Sequence, residues 1–325
     1  QLIANATRSA SYDGIFLRAA YHSPTSSKDD SADCDIVLLQ SILTQEFYPQ
    51  ILLCSQYLQV EVTEMSESME LTRDGQIAVL FLNRPHVLNA FDLDMLKEFL
   101  ARMMSFATDD AVRGVVLSGR GRAFCAGADL KMALGAPHGL PAVFHEGAGR
   151  LHQVILEIRR IKKPVIAAIN GIAAGAGFSM ALACDFRVMA RSAAMQLGYP
   201  SSGLCIDGGG TFNLPRIVGL ARAIEIAAFD RPIFAEEAQT LGLVTRVVED
   251  GQALGEAVSM ARELAERSLN SFGWSKQLLT DSFNTSFETH IEHEREGIRS
   301  SVVSRDGQEG IRAFVEKRKP VFNVP

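Results

Sequence analysis

Two stretches of this chain share one plan, and that plan limits what the chain can fold into. In the first, the apolar run VRGVVLSG (112–119) leads through RGRAFCAGA (120–128) to Asp129 and a helical turn. In the second, VIAAIN (165–170) leads through GIAAG (171–175) to a helix opening near Ala176. Short apolar runs, small-residue junctions and then helical spacing mark buried strands alternating with helices. The junctions also have chemical meaning. The first N–H groups of a helix lack intrahelical partners and sit at its positive end, so they suit an anion. Two such groups converging on one carbonyl oxygen make an oxyanion hole, and Gly and Ala leave room for the approach. Small-residue junctions are equally common as packing devices, so each alone is compatible with a purely structural role. Asp129 reads as an N-cap or loop brace rather than a catalytic acid. Gly119-x-Gly121 is too short a pattern for a nucleotide fingerprint.

The same alternation runs through the rest of the chain from Met69. IAVLFL (77–82) reads as a buried strand ending at Asn83-Arg84-Pro85. Residues 92–106 place Leu93, Leu96, Phe99, Leu100, Met103 and Met104 at helical spacing. A helix over 143–161 carries Leu151, Val154, Ile155, Ile158 and Ile161 on one face. DFRVMA (185–190) and VTRVV (244–248) read as strands, and 219–229 as a helix. Beyond 252 the spacing is helical throughout, over 252–268, about 273–283, 286–300 and 307–318. The expected architecture is therefore α/β followed by an all-helical tail.

Residues 1–64 differ. They show no sustained period, and SPTSSKDDSAD (23–33) reads as solvated and disordered. The 36–60 segment is apolar enough to pack locally, with a helix as one reading. The expected organisation is an N-terminal extension without catalytic role (1–68), a core carrying the active site (69–265) and a C-terminal helical region (266–325). The net charge is −6, with −5 of it on residues 1–64. No basic stripe of the kind nucleic acid needs is present. No span reaches ~18 unbroken apolar residues, so no transmembrane helix is expected. The start lacks a basic n-region and an h-region, and the expected location is cytoplasmic, with organelle import left open. The five Cys have no metal-ligand spacing. Three sit in apolar or Gly-rich stretches and read as reduced, buried thiols.

Taken in order, LNRPHVLNAF (82–91), SGRGRAFCAGADL (118–130), KKPVIAAINGIAAGAGFSMALACD (162–185), GLCIDGGGTFNLPRIVG (203–219), AEEAQTLGLVTRVV (235–248) and FVEKRKPVF (314–322) resemble the crotonase superfamily, the enoyl-CoA hydratase/isomerase family. The resemblance covers about residues 70–320. It implies a spiral of ββα repeats with a helical C-terminal region, assembled as a homotrimer or hexamer. It implies a CoA thioester as substrate, with no permanently bound cofactor and no metal. The backbone N–H groups of Ala128 and Ala176 would form the oxyanion hole, with Ala126, Gly127 and Gly175 beside the substrate. Phe314 and Lys317 match residues that cover the CoA, often from a neighbouring subunit, although Phe314 also fits a core position and Lys317 a solvated one. Cys125 fits an inert wall.

The pattern departs from the family at its acid/base positions. Hydratases place two Glu opposite the oxyanion hole, where one activates water and the other handles the α-proton. The matching positions here are Ser179 and Tyr199. Asp207 remains, matching an Asp used as acid/base or nucleophile in isomerase-like and dehalogenase-like branches. An Asp before three Gly is also a good turn residue. The flanking Leu204, Cys205, Ile206 and Phe212 are placed to desolvate it. One carboxylate plus an oxyanion hole suits double-bond isomerisation of an enoyl- or dienoyl-CoA, and GAGFSMALACD resembles isomerases of aromatic-acid degradation more than fatty-acid hydratases. No aromatic wall is evident, which disfavours dehalogenation. His86, His138, His145 and His152 are candidate helping acids that also fit surface positions. The alternatives are an enoyl-CoA hydratase, a CoA-thioester hydrolase and a non-catalytic binding member of the family.

Overall fold

The computed structural model describes three strands within residues 9–65 and then residues 68–324. The chain divides into two units, residues 1–65 and 66–325. In the first, β1 (Ser9–Tyr12), β2 (Ile15–Tyr21) and β3 (Leu58–Met65) pair antiparallel, with Tyr12 opposite Ile15 and Ile15 opposite Glu64. These strands were not expected. The pairing of β2 with β3 joins residues some forty positions apart, which local period cannot show, although LQVEVTEM does alternate apolar and polar residues as strands do. The 23–33 segment and most of 36–60 lie outside the described residues.

The second unit opens with β4 (Met69–Asp74) folding back on β5 (Ile77–Leu82) and then α1 (Leu93–Thr108). Thereafter each repeat gives one long strand, one short strand and a helix. The first is β6 (Gly114–Gly119), β7 (Ala123–Cys125), α2 (Leu130–Leu134) and α3 (Gly139–Arg160). The second is β8 (Val165–Ile169), β9 (Ile172–Ala174) and α4 (Ala176–Ala183). The third is β10 (Phe186–Ala190), β11 (Ala194–Gln196), α5 (Gly210–Val218) and α6 (Leu220–Phe229). Then come β12 (Ile233–Phe234), α7 (Ala235–Thr240), β13 (Arg246–Val248) and α8 (Ala253–Ala265). Helices α9 (Leu269–Asp281), α10 (Phe287–Val303) and α11 (Arg305–Glu316) close the chain.

The main sheet of this unit has the order β4-β5-β6-β8-β10-β13, with the three-residue β13 at its edge, and is parallel from β5 onward. The other short strands form a second sheet, β12-β11-β9-β7. Every residue of β5, β6 and β8 is buried, as unbroken apolar strands require. Helix α8 packs against β6, β8 and β10, while α1 packs against α3. Helix α4 is buried on all sides, which its small-residue sequence AGFSMALA permits. This is the spiral of ββα repeats with a helical C-terminal region that the sequence implies. Helix α5 was not expected, because its glycine start and internal Pro215 conceal the helical pattern.

Candidate active site

The loop before α2 is held from behind by LNRPHVLNAF. Asn89 is fully buried; its Nδ2 donates to Arg120 O at 2.9 Å and Ala123 O at 2.8 Å, and its Oδ1 accepts from Arg84 N–H at 2.9 Å. Phe91 N–H donates to Gly127 O at 2.7 Å, and Asp129 N–H donates to Phe91 O at 2.9 Å. These two bonds straddle Ala128, so the Ala128 N–H faces the other way and has no acceptor among the described residues. Asp129 accepts from Met132 N–H at 3.0 Å as the N-cap of α2 and pairs with Arg84 at 3.0 Å. It is the brace that its position suggests.

The second loop ends at Gly175, and Ala176 begins α4 with an N–H that has no intrahelical acceptor. The two loops touch through glycine. Gly127 has φ +98°, and a Cβ there would lie 3.1 Å from Ala176 N. A Cβ at Gly177 would lie 2.3 Å from Cys125 O, so α4 can approach β7 this closely only with glycine. Cys125 itself is fully buried, and burial pushes its thiol up to about 12. It does not line the cavity, its Sγ donates to Asn89 O at 3.2 Å, and it is not placed as a nucleophile.

Ala126, Ala128, Gly175 and Ala176 line a cavity of about 440 Å³ together with Tyr199 and Asp207. Gly127 and Ser179 stand just behind its wall. Ser179 Oγ donates to the Asp207 backbone O at 2.8 Å and lies 3.3 Å from Tyr199 Oη. Tyr199 Oη donates to Asp207 Oδ1 at 2.6 Å. The three residues singled out at the acid/base positions therefore meet. Burial first, then the Asp207 charge and the bond to it, hold the Tyr199 hydroxyl well above the ordinary tyrosine range, so it stays a neutral donor. Two further carboxylates line the cavity, Asp92 and Asp129, but both are helix N-caps paired with Arg84. Among the described residues Asp207 forms no ion pair.

Across this fold, the enoyl-CoA hydratase/isomerase family model matches residues 72–325. The chain belongs to the enoyl-CoA hydratase/isomerase family. It is 35% identical to the 1,2-epoxyphenylacetyl-CoA isomerase of Escherichia coli (strain K12), over 76% of this chain and 94% of that one. It is 34% identical to a crotonyl-CoA hydratase of Syntrophomonas wolfei, over 79% of this chain and 98% of that one. The crystal structure of an enoyl-CoA hydratase from Polaromonas sp. JS666 aligns with a TM-score of 0.75 at 35% identity, covering 78% of this chain and 99% of that one. This chain is thus an enzyme of the enoyl-CoA isomerase/hydratase family.

Several residues of this family member stand differently from expectation. Leu204 and Cys205 are exposed at the cavity rather than packed over Asp207, because residues 201–205 run along the surface. An aromatic wall is present after all: Phe91 before α1, Phe144 on α3 and Tyr199 after β11 line the cavity. Phe144, Ala148 and Leu151 share one face of α3, a stripe that helical spacing carries but that reads equally well as core. His145 also lines the cavity, and His152 Nε2 accepts from Gly208 N–H at 3.4 Å. His86 and His138 do not line it. Phe314 and Lys317 do not line it either: Phe314 is 85% exposed on α11, and Lys317 caps that helix in the left-handed conformation. Among the described residues no helix is long and apolar enough to cross a membrane.

Proposed function

We propose that the chain is a cytoplasmic enoyl-CoA or dienoyl-CoA isomerase that moves a double bond through a thioester enolate. The observation that carries this reading is Asp207, a cavity carboxylate with no cationic partner among the described residues, on one cavity with Ala128 and Ala176, whose N–H groups have no acceptor among those residues. The thioester oxygen would sit on those two N–H groups. As a proton leaves the carbon next to the thioester, or its vinylogous position, negative charge builds on that oxygen. Fixed donors stabilise it there, each worth roughly 2.7–4 kcal/mol of barrier in comparable sites. Asp207 takes the proton and returns it to another carbon of the conjugated system, so no atom is gained or lost. Hydration by two carboxylates is disfavoured because Ser179 and Tyr199 occupy the two positions where family hydratases carry Glu and both bond to Asp207. The apolar and aromatic lining suits an acyl group that is itself apolar, ring-bearing acyl groups included. A homotrimer or hexamer would let Phe314 and Lys317 cover the CoA of a neighbouring copy.

Mixing the pure protein with enoyl-, dienoyl- and saturated acyl-CoA and following mass tests the reaction class. Isomerisation keeps mass, hydration adds one water, and hydrolysis releases CoA. Asp207→Asn keeps shape but loses basicity, and turnover should fall ~10²–10⁴-fold, as for a lost general base. Near-normal isomerisation by that variant would remove Asp207 from the mechanism.

A further inference from the structure

Asp207 sits in a loop between the helical turn Pro200–Ser202 and α5, which is a poor place to hold a base by itself. The loop is seated on Ser179 instead. A Cβ at Gly208 would come within 2.9 Å of Ser179 Cβ, and one at Gly210 within 2.7 Å of Ser179 Oγ. Ser179 is fully buried, and its hydroxyl proton is spent on the Asp207 backbone O. Tyr199 is 8% exposed, and its hydroxyl proton is spent on Asp207 Oδ1. Each hydroxyl has one proton to give, so neither is donated to the other across their 3.3 Å contact. Asp207 Oδ2 has no partner among the described residues.

We infer that Ser179 and Tyr199 are positioning residues that clamp Asp207, Ser179 by its backbone and Tyr199 by Oδ1, so that Oδ2 alone faces the cavity to exchange the proton. The inference rests on the proposed role of Asp207 as the base. Its physical content is orientation. An unclamped carboxylate rotates about its side-chain bonds and spends much of its time off the reacting line, and misplacement of about 1 Å costs up to ~10²-fold in rate. The clamp occupies the two positions where family hydratases carry carboxylates, so one base gains rigidity where another enzyme gains a second base. Tyr199 acts from the wall without touching the reacting carbon.

Steady-state kinetics of Tyr199→Phe, Ser179→Ala and Asp207→Asn, singly and combined, test this. Tyr199→Phe should lower kcat ~10–100-fold with KM and the affinity for a saturated acyl-CoA unchanged. Ser179→Ala should lower kcat in the same way. Adding Tyr199→Phe to Asp207→Asn should cost nothing further, because the clamp acts only through the carboxylate; a merely structural role would add its cost in both backgrounds. Thermal melts of each variant separate loss of fold from loss of orientation, and Ser179→Ala stands in should Tyr199→Phe fail to fold. Wild-type kcat in both Tyr199→Phe and Ser179→Ala, with Asp207→Asn inactive, overturns the clamp and leaves the base in place. Near-normal turnover by Asp207→Asn overturns the base and the clamp together.

Discussion

Three cysteines differ in what surrounds the sulfur, and that difference is chemical. Cys125 and Cys184 are buried, and burial pushes both thiols up to about 12. Since the reactive form is the thiolate, a raised value leaves almost none of it near pH 8. Cys205 is exposed on the cavity wall. Iodoacetamide at pH 8 should therefore alkylate Cys205 and spare the other two, and a saturated acyl-CoA should protect Cys205. Peptide mapping checks this; labelling of Cys125 at the rate of Cys205 would contradict it. At this scale the sequence was legible where function is local. Asp129 before a helix is a cap whatever the fold, and Cys125 in an apolar strand is a buried thiol. Tyr199 and Ser179 were visible as the wrong residues for a hydratase, but not as partners of Asp207. Their bonds span 8 and 28 positions and exist only once α4 and the 199–207 loop have packed.

Elements were legible in proportion to their length. The buried strands β5, β6 and β8 show as unbroken apolar runs and the amphipathic helices α1 and α3 as a period, and they fall close to where the sequence puts them. The second sheet does not: β7, β9 and β11 have three residues each and β12 two, too few for any pattern. Yet that sheet sets the loops that end at Ala128 and Ala176 side by side, through β7 and β9. The contact of α4 with β7 leaves no room for a single added methyl group. Gly177→Ala would drive a Cβ to within 2.3 Å of Cys125 O, and backbone cannot swing away as a side chain can. Overpacking of this kind costs ~1–3 kcal/mol, and because the strain sits between the loops, turnover should fall with it. Gly149, exposed within α3, has nothing within 4 Å of its would-be Cβ. Gly149→Ala should instead stabilise by up to ~1 kcal/mol through helix propensity. Thermal melts of the two variants should move in opposite directions, and a Gly177→Ala protein as stable and active as wild type would mean the loops tolerate separation.

At the scale of the whole molecule the C-terminal helices are the unfinished part. Within α10 only Gly297 is buried, while Phe287, Ile291, Ile298 and Val302 are exposed along it. Leu279 and Phe283 precede them, and Ile311, Phe314 and Val315 follow on α11. Single exposed apolar side chains are ordinary, but so many on three consecutive helices suit a surface that something covers. A second copy of the chain is the occupant the proposed assembly requires. Three copies joined head to tail close into a ring, with each copy contacting the next through different surfaces. In the proposed assembly α11 of one copy would reach the cavity mouth of another, which would cover Phe314, 85% exposed on its own chain. Light scattering at micromolar concentration should therefore return a mass of three or six chains. Phe287→Glu combined with Ile298→Glu should break the assembly by placing charge in its contact. Phe314→Glu should raise KM for acyl-CoA more than it lowers kcat, because covering the CoA concerns binding rather than proton transfer. A stable monomer that turns over acyl-CoA with wild-type constants would show instead that one chain completes its own site and that the exposed helices serve another purpose.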